Sequence, residues 1–188
     1  MRLIIGMSGA SGVVYGIRLL EALSAKKDIE THLIITEAAE VNIRAETDHQ
    51  PKDIRALADY NYDVKDTGAS LASGSFKRDG MIVAPCSIKT LSAMAHSYTA
   101  NLLTRAGDVT LKENKKLVLL VRETPFHLGH LENMERLCRM NAVIMPPVPA
   151  FYHKPKTIDD IVLHTVGKTL DLFDIEHDLF PRWSGITE

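Results

Sequence analysis

Small hydroxyl residues, glycines and charged side chains follow five short apolar runs of the chain. They occupy residues 6–12 (GMSGASG), 36–37 (TE), 85–90 (PCSIKT), 122–125 (RETP) and 146–152 (PPVPAFY). If each run is a strand of one parallel sheet, these segments meet at the carboxyl edge, where open α/β sheets bind ligands. Backbone N–H groups at the starts of the following helices, together with Ser and Thr hydroxyls, can bind phosphate. The pattern therefore predicts a site for an anionic small molecule.

The glycine spacing in the first segment distinguishes between nucleotide classes. Gly6, Gly9 and Gly12 stand three residues apart. The dinucleotide motif instead requires Gly-x-Gly-x-x-Gly, and the P-loop requires Gly-Lys followed by Ser or Thr. The spacing therefore favours a mononucleotide over NAD or ATP. The alternative, which this motif alone leaves open, is a tight strand-to-helix turn whose glycines serve only close packing.

Charged residues around the fourth apolar run have two interpretations. Arg122 and Glu123 at its end are either site residues or a surface ion pair of little energetic weight, and their position at a strand end favours the first. Lys112, Lys115 and Lys116 precede the run. Clustered lysines are usually a solvated helix end.

Histidine, cysteine and aromatic residues supply further candidates. His127 and His130 have the i, i+3 spacing that brings two ligands to one metal, but no third ligand follows nearby, so we predict no metal site. Cys86 lacks a paired histidine in a known motif, which favours a packed thiol over a nucleophile. Phe151 and Tyr152 either cap the sheet or line an apolar pocket with the phenol as its polar group.

Alternating strands and helices are needed to position these segments. The runs at residues 3–5, 32–35, 81–84, 117–121 and 142–145 have the composition of strands buried on both faces. Helical spacing of apolar residues follows at 13–23, 91–103, 128–139 and 157–175. Residues 51–58 also read as a helix, and 60–75 as a short edge strand or a loop. The pattern predicts an α/β fold, a three-layer α/β/α Rossmann-like (flavodoxin-like) parallel sheet, in a single domain over residues 1–188 with the C-terminal helix at 157–175 and a short tail.

Composition excludes several classes of protein. The 188 residues carry a formal net charge of −2 and 45% hydrophobic residues, which argues against a nucleic-acid-binding surface and against disorder. The two cysteines cannot form a disulfide framework. No apolar run reaches the roughly 18 residues of a membrane span, and the N-terminus does not read as a signal peptide. We expect a cytoplasmic protein that does not bind membranes or nucleic acid and whose mature chain starts near Met1.

Six short motifs, in register from Met1 to about Phe173, resemble those of the UbiX-type flavin prenyltransferases, a group that includes proteins described as phenolic-acid (hydroxyaryl) decarboxylase subunits. The motifs are GASG at 9–12, DGM at 79–81 with PCS at 85–87, LKE at 111–113, RETP at 122–125, HLENM at 130–134 and PAFY at 149–152.

The resemblance implies a metal-independent enzyme that binds FMN and transfers a dimethylallyl group from dimethylallyl monophosphate to N5 and C6 of the reduced flavin. The product, prenylated FMN, would serve a separate UbiD-type decarboxylase. The resemblance also implies a homo-oligomer, typically a dodecamer, with its active sites at subunit boundaries.

The resemblance assigns residues to three roles. Ser11, Glu46, Lys112 and Glu123 would be catalytic. The flavin would be bound by Gly9, Ala10, Ser11, Thr36, Ser87, Ile88, Lys89, Thr90 and Arg122. The prenyl phosphate would contact Lys112, Tyr152 and Lys168. Several relatives carry Arg at the position of Lys168, so bidentate phosphate geometry is not implied there, and residues 126–129 (FHLG) depart from the family pattern.

Two other functions are compatible with flavin-binding residues. One is an FMN-dependent cysteine decarboxylase, but those enzymes carry Asn where Lys89 stands and a Pro-x-Met-Asn-x-x-Met loop where residues 146–152 stand. The other is a non-catalytic FMN-binding accessory subunit of a decarboxylase. The combination of Glu46, Lys112, Glu123 and Tyr152 favours catalysis over this accessory role.

Overall fold

Parallel strands form a six-stranded sheet in this computed structural model, which describes residues 1–185. The strands are β1 (Arg2–Met7), β2 (Glu30–Ile35), β3 (Tyr60–Tyr62), β4 (Gly80–Cys86), β5 (Lys116–Val121) and β6 (Ala142–Ile144). Their order across the sheet is β3-β2-β1-β4-β5-β6, and every neighbouring pair is parallel. This is the doubly wound order, in which successive strands are added on one side of β1 up to β3 and on its other side from β4 onwards.

Helices cover both faces of this sheet. They are α1 (Val13–Ser24), α2 (Glu37–Glu46), α3 (Pro51–Arg55), α4 (Ile88–Ala95), α5 (Leu102–Lys112) and α6 (Leu128–Arg139). Apolar residues of α4, α5 and α6 form one core with inward side chains of β1, β2, β4 and β5, and α1 contacts β1 and β4 with α2 beside it. The predicted three-layer α/β fold is confirmed.

The chain divides into two compact units, residues 1–146 and a second that begins at Pro147. The sheet and α1 to α6 belong to the first. The second contains α7 (Ile158–Asp171). The expectation of a single domain over 1–188 stays a prediction, and its last three positions lie outside the described residues.

Helix α7 is closed at both ends by side chains. The hydroxyl of Thr157 accepts a hydrogen bond from the N–H of Asp160 at 3.1 Å, and the Asp160 carboxylate accepts one from the Thr157 N–H at 2.9 Å. At the other end the Asp171 carboxylate binds Arg182 at 2.7 and 3.2 Å and His177 at 3.1 Å. The guanidinium of Arg182 lowers the pKa of Asp171 to about 2. The helix is shorter than the predicted 157–175. Its last residue, Asp171, binds His177 and Arg182 of the chain that follows the helix.

Two other elements differ from the predictions. Helix α2 was not predicted, because only Ala39 and Ile43 of its ten residues are buried and its apolar stripe is too narrow to see. The predicted helix at 91–103 is two helices, because Ser97 has a φ of 52° and Asn101 caps a new helix through the N–H of Thr104. The uncertain 60–75 region contains β3 as a short edge strand.

No helix within residues 1–185 is long and apolar enough to cross a lipid bilayer.

Helix α1 lies so close to β4 that position 16 cannot carry a side chain. A Cβ on Gly16 would stand 2.3 Å from the carbonyl oxygen of Ala84 and 2.9 Å from Cε of Met7. We expect Gly16→Ala to lower the free energy of unfolding by about 1–3 kcal/mol, since backbone overpacking outweighs a gain of about 1 kcal/mol in helix propensity. Urea unfolding measures this, with Gly68→Ala as the control because the new Cβ would meet only Asp66 at 3.5 Å. Equal midpoints for the two variants would contradict the packing argument.

Candidate functional site

Ser8 joins the two turns that leave the centre of the sheet. Its buried hydroxyl donates to the carbonyl of Pro85 at 3.0 Å and accepts from the N–H of Ser87 at 2.8 Å. The β1–α1 turn and the β4–α4 turn are thereby held side by side at the carboxyl edge. The order of the strands switches sides between β1 and β4. The two turns therefore border the crevice where doubly wound proteins bind ligands.

Helix α2 holds the β1–α1 turn through two side chains. The Asn42 amide donates to the carbonyl of Ala10 at 2.9 Å. One carboxylate oxygen of Glu46 accepts from the N–H of Gly12 at 2.8 Å and from that of Val13 at 3.2 Å. Gly12 is in the left-handed region, with a φ of 94°. Glu46 therefore occupies the first N–H groups of α1, where the sequence predicted a phosphate cradle.

The same turn approaches α2 closely at Gly9. A Cβ there would stand 2.4 Å from Cβ of Ala38. Thr36 precedes α2 and caps it, since its hydroxyl accepts from the N–H of Ala39 at 3.2 Å, and its own N–H donates to the carbonyl of Met7 at 3.0 Å. The predicted site residues at 9–11, 36 and 46 are thus brought together at one edge of the sheet.

The start of α4 supplies the second set of predicted residues. The Ser87 hydroxyl accepts from the N–H of Thr90 at 3.3 Å and donates to its hydroxyl at 3.1 Å. Ile88 and Lys89 open the helix, where N–H groups have no intrahelical acceptor and the helix dipole favours an anion. In the part of the chain that the structure describes, the first turn of α4 contains no acidic residue, whereas Glu46 covers the first N–H groups of α1.

Arg122 and Glu123 follow β5 at the same edge. The N–H of Arg122 donates to the carbonyl of Cys86 at 3.1 Å, which places Arg122 next to the β4–α4 turn. The Glu123 carboxylate accepts from the N–H of Thr124 at 2.9 Å. Burial raises the pKa of Tyr15 on α1, and the positive charge of Arg122 opposes that rise. The Tyr15 ring lies beside the β1–α1 turn, since a Cβ on Gly12 would stand 3.1 Å from its Cδ2 atom.

The sequence placed Ser8 at this edge without assigning it a role, and gave no indication of Tyr15 or Asn42. Ser8 lies in the glycine-rich segment, so its type and position were a usable signal. Tyr15 and Asn42 lie within helices, and nothing in the local pattern shows that they point to the turns.

Lys112 lies at the opposite edge of the sheet. It is the last residue of α5, which runs antiparallel to the strands and ends just before β5 begins. Its ammonium group pairs with Glu113. Glu113 lines a cavity of about 860 Å³ at the amino edge, together with Arg2, Tyr60, Arg78 and Asp79. Within one chain, Lys112 is therefore not grouped with Arg122 and Glu123 as the sequence analysis expected.

The second unit brings together its two predicted substrate residues. Tyr152 and Lys168, with His164 and Trp183, line a cavity of about 460 Å³. The Tyr152 hydroxyl and Nε2 of His164 are 2.9 Å apart. The Trp183 ring packs on the edge of Tyr152 with the ring centres 5.8 Å apart. A phenol, an ammonium group and aromatic walls suit a small molecule with an anionic end and an apolar end.

The remaining candidates have structural surroundings. Cys86 is buried, and burial raises the pKa of its thiol well above the usual range, so it is a packed residue and not a thiolate. His127 caps α6 by accepting a hydrogen bond from the N–H of Gly129 at 3.1 Å. The centres of the His127 and His130 rings are 3.6 Å apart. In residues 1–185 no three His, Cys, Asp or Glu side chains are placed to share a metal ion.

Comparisons with known proteins identify the family. The Flavoprotein family model matches residues 1–170. The flavin prenyltransferase UbiX of Thauera aromatica is 56% identical over 188 residues, which are 100% of this chain and 96% of that protein.

Two solved structures share the fold throughout. One is AnUbiX in complex with FMN and dimethylallyl pyrophosphate, with a TM-score of 0.96, 47% identity, and coverage of 99% of this chain and 98% of that one. The other is a dodecameric FMN-dependent UbiX-like decarboxylase from Escherichia coli O157:H7, with a TM-score of 0.97, 48% identity, and coverage of 98% and 100%. As its motifs predict, the chain belongs to the flavoprotein family of UbiX flavin prenyltransferases.

Proposed function

We propose that this chain is a flavin prenyltransferase that transfers a dimethylallyl group from dimethylallyl monophosphate to N5 and C6 of reduced FMN, the acceptor substrate. The observation that supports this most strongly is the pair of turns joined by Ser8, because it brings hydroxyls, helix N–H groups and Arg122 to one edge of the sheet. The complex of the related AnUbiX with FMN and dimethylallyl pyrophosphate supports FMN and a dimethylallyl phosphate ester as the two substrates.

The flavin-binding residues we propose are those grouped at the carboxyl edge. The open start of α4 and the Arg122 guanidinium suit the phosphate of FMN, since both present donors and positive charge to an anion. The β1–α1 turn, with Ser11 exposed at its tip, suits the flavin ring, with Ser11 near N5. The full proposed set is Gly9, Ala10, Ser11, Thr36, Ser87, Ile88, Lys89, Thr90 and Arg122.

Breaking the allylic C–O bond leaves a delocalised cation and a phosphate, so the protein must stabilise the leaving group. We assign this to Lys112, Tyr152 and Lys168. Because Lys112 lies at the amino edge of its own sheet, it can serve this role only from another subunit, which agrees with a homo-oligomer whose active sites lie at subunit boundaries. No metal ion is needed in this scheme, because side-chain cations and the phenol contact the phosphate directly.

Two carboxylates have distinct proposed tasks. Glu123 is assigned to proton transfer during ring closure, because its carboxylate is partly exposed at the edge and, within residues 1–185, accepts a hydrogen bond only from the adjacent Thr124 N–H. Glu46 holds the start of α1 through Gly12 and Val13, and so keeps the flavin-binding turn and its own charge in place.

Further proposals concern the recipient of the product, the oligomeric state and the location of the enzyme. We propose that prenylated FMN is delivered to a UbiD-type decarboxylase, that the protein assembles as a dodecamer as its E. coli O157:H7 relative does, and that it acts in the cytoplasm. A cysteine decarboxylase is disfavoured by Lys89 and by the sequence of residues 146–152.

A mass measurement separates the enzyme from an accessory flavin carrier. The purified protein is incubated anaerobically with reduced FMN and dimethylallyl monophosphate, with the diphosphate in a parallel reaction, and the bound flavin is weighed. We expect an added C5H8 unit. Bound FMN of unchanged mass with both donors would assign the chain to the carrier class.

A further inference from the structure

His164 contacts the phenol that we assign to the prenyl phosphate. Its Nε2 lies 2.9 Å from the Tyr152 hydroxyl. It stands one helical turn before Lys168 on α7, so the imidazole and the ammonium group project from the same face of the helix. The three side chains line one cavity with Trp183.

The imidazole ring is held in place by aromatic packing. His164 is buried. His153 stacks on it, with ring centres 4.9 Å apart and planes inclined by 5°, and the Phe180 ring centre lies 4.6 Å away. Such packing leaves the ring little freedom to turn, so the Nε2 atom has a fixed direction towards the phenolic oxygen.

The charges around His164 favour its neutral form. Burial lowers its pKa, the cationic forms of His153 and Lys168 lower it further, and only Asp171 opposes them. A neutral imidazole carries one N–H, so Nε2 either donates to the phenolic oxygen or accepts from the phenol. If it donates, the Tyr152 O–H is free to point at a phosphate oxygen. If Nε2 accepts, the Tyr152 O–H is donated to His164 and is not available to a ligand.

We propose that His164 is a positioning residue, whose Nε2–H donates to the Tyr152 oxygen and thereby directs the phenolic O–H towards the phosphate of the isoprenoid. The inference rests on the proposed function. With the isoprenoid phosphate in this cavity, the alternative hydrogen-bond direction would leave the anionic ligand facing a phenolic oxygen lone pair instead of a donor.

The first test compares three single variants by Michaelis constants for dimethylallyl monophosphate and by dissociation constants for FMN. His164→Phe keeps the aromatic packing and removes the hydrogen bond, so we expect the Michaelis constant to rise about tenfold with FMN affinity unchanged. His164→Gln, whose amide can donate to the phenol, should stay within about threefold of wild type. His153→Phe is the control for packing, because neither nitrogen of His153 has a hydrogen-bond partner among residues 1–185, and should stay within about twofold.

A double substitution tests whether His164 acts through Tyr152. In a Tyr152→Phe background, His164→Phe should change the Michaelis constant by less than about twofold, because the hydrogen bond is already lost. If His164→Phe unfolds on heating well below wild type, His164→Leu takes its place in the cycle.

Three results would overturn the inference: an unchanged Michaelis constant in the single variant, an additive effect in the double variant, or an equal loss of FMN affinity. These outcomes are distinct from failure of the proposed function, which is a wild-type protein that does not alter the mass of FMN.

Discussion

Glu123→Gln should leave FMN affinity within about twofold of wild type and lower the rate of prenylation by about 10²- to 10⁴-fold, the usual contribution of a proton-transferring side chain. In the wild-type chain the Thr124 N–H donates to Glu123 Oε1 at 2.9 Å. The amide retains an oxygen that can accept this hydrogen bond, so the loop after β5 keeps its shape. The amide cannot take up a proton at neutral pH. Flavin binding is followed by fluorescence titration and product by mass.

Glu132→Gln provides the matched control. Glu132 is an exposed residue of α6, and its replacement should change neither quantity. A Glu123→Gln enzyme that turns over at the wild-type rate would remove Glu123 from the mechanism. A variant that loses FMN affinity to the same extent as its rate would move Glu123 from proton transfer to flavin binding.

Lys112→Ala should weaken the use of the prenyl phosphate about 10²-fold and leave FMN affinity nearly unchanged, because one charge-assisted contact to the leaving group is lost. The pair with Glu113 that is also lost is exposed and contributes little stability. Lys115→Ala is the neighbouring control and should behave as wild type. An equal loss of FMN affinity and phosphate use would contradict the assignment.

The position of Lys112 at the amino edge permits a sharper experiment. Lys112→Ala and Glu123→Gln subunits are each expected to be nearly inactive alone. If Lys112 acts in a neighbouring subunit, oligomers refolded from a mixture contain some sites with both native residues, and activity should return in part. Absence of any recovery in verified mixed oligomers would place Lys112 outside the active site.

Much of the fold was predictable because the sheet is buried on both faces. Strands such as β1 and β5 are nearly continuous apolar runs, and each is bounded by turn-forming or charged residues. Helix α2 was not predictable, because only Ala39 and Ile43 of its residues are buried and its sequence therefore shows no clear apolar stripe. The break between α4 and α5 depends on the backbone at Ser97, whose positive φ has no signal in residue type.

The candidate site was predictable where its residues lie directly after strands. Ser87 and Arg122 follow β4 and β5, so topology alone places them at one edge. The side chains that reach this edge from helices, Tyr15 and Asn42, depend on helix orientation, which periodicity does not give. For Lys112 the motif match predicts a role, but it does not say in which subunit's active site the side chain lies.

The most direct test of the account is the location of FMN in a crystal structure of this protein grown with the flavin and an unreactive prenyl phosphate analogue. We predict the FMN phosphate at the start of α4 beside Arg122, and the flavin ring over the turn held by Asn42 and Glu46. A flavin bound instead in the amino-edge cavity near Arg2 and Glu113, or a protein that binds no flavin, would contradict the account.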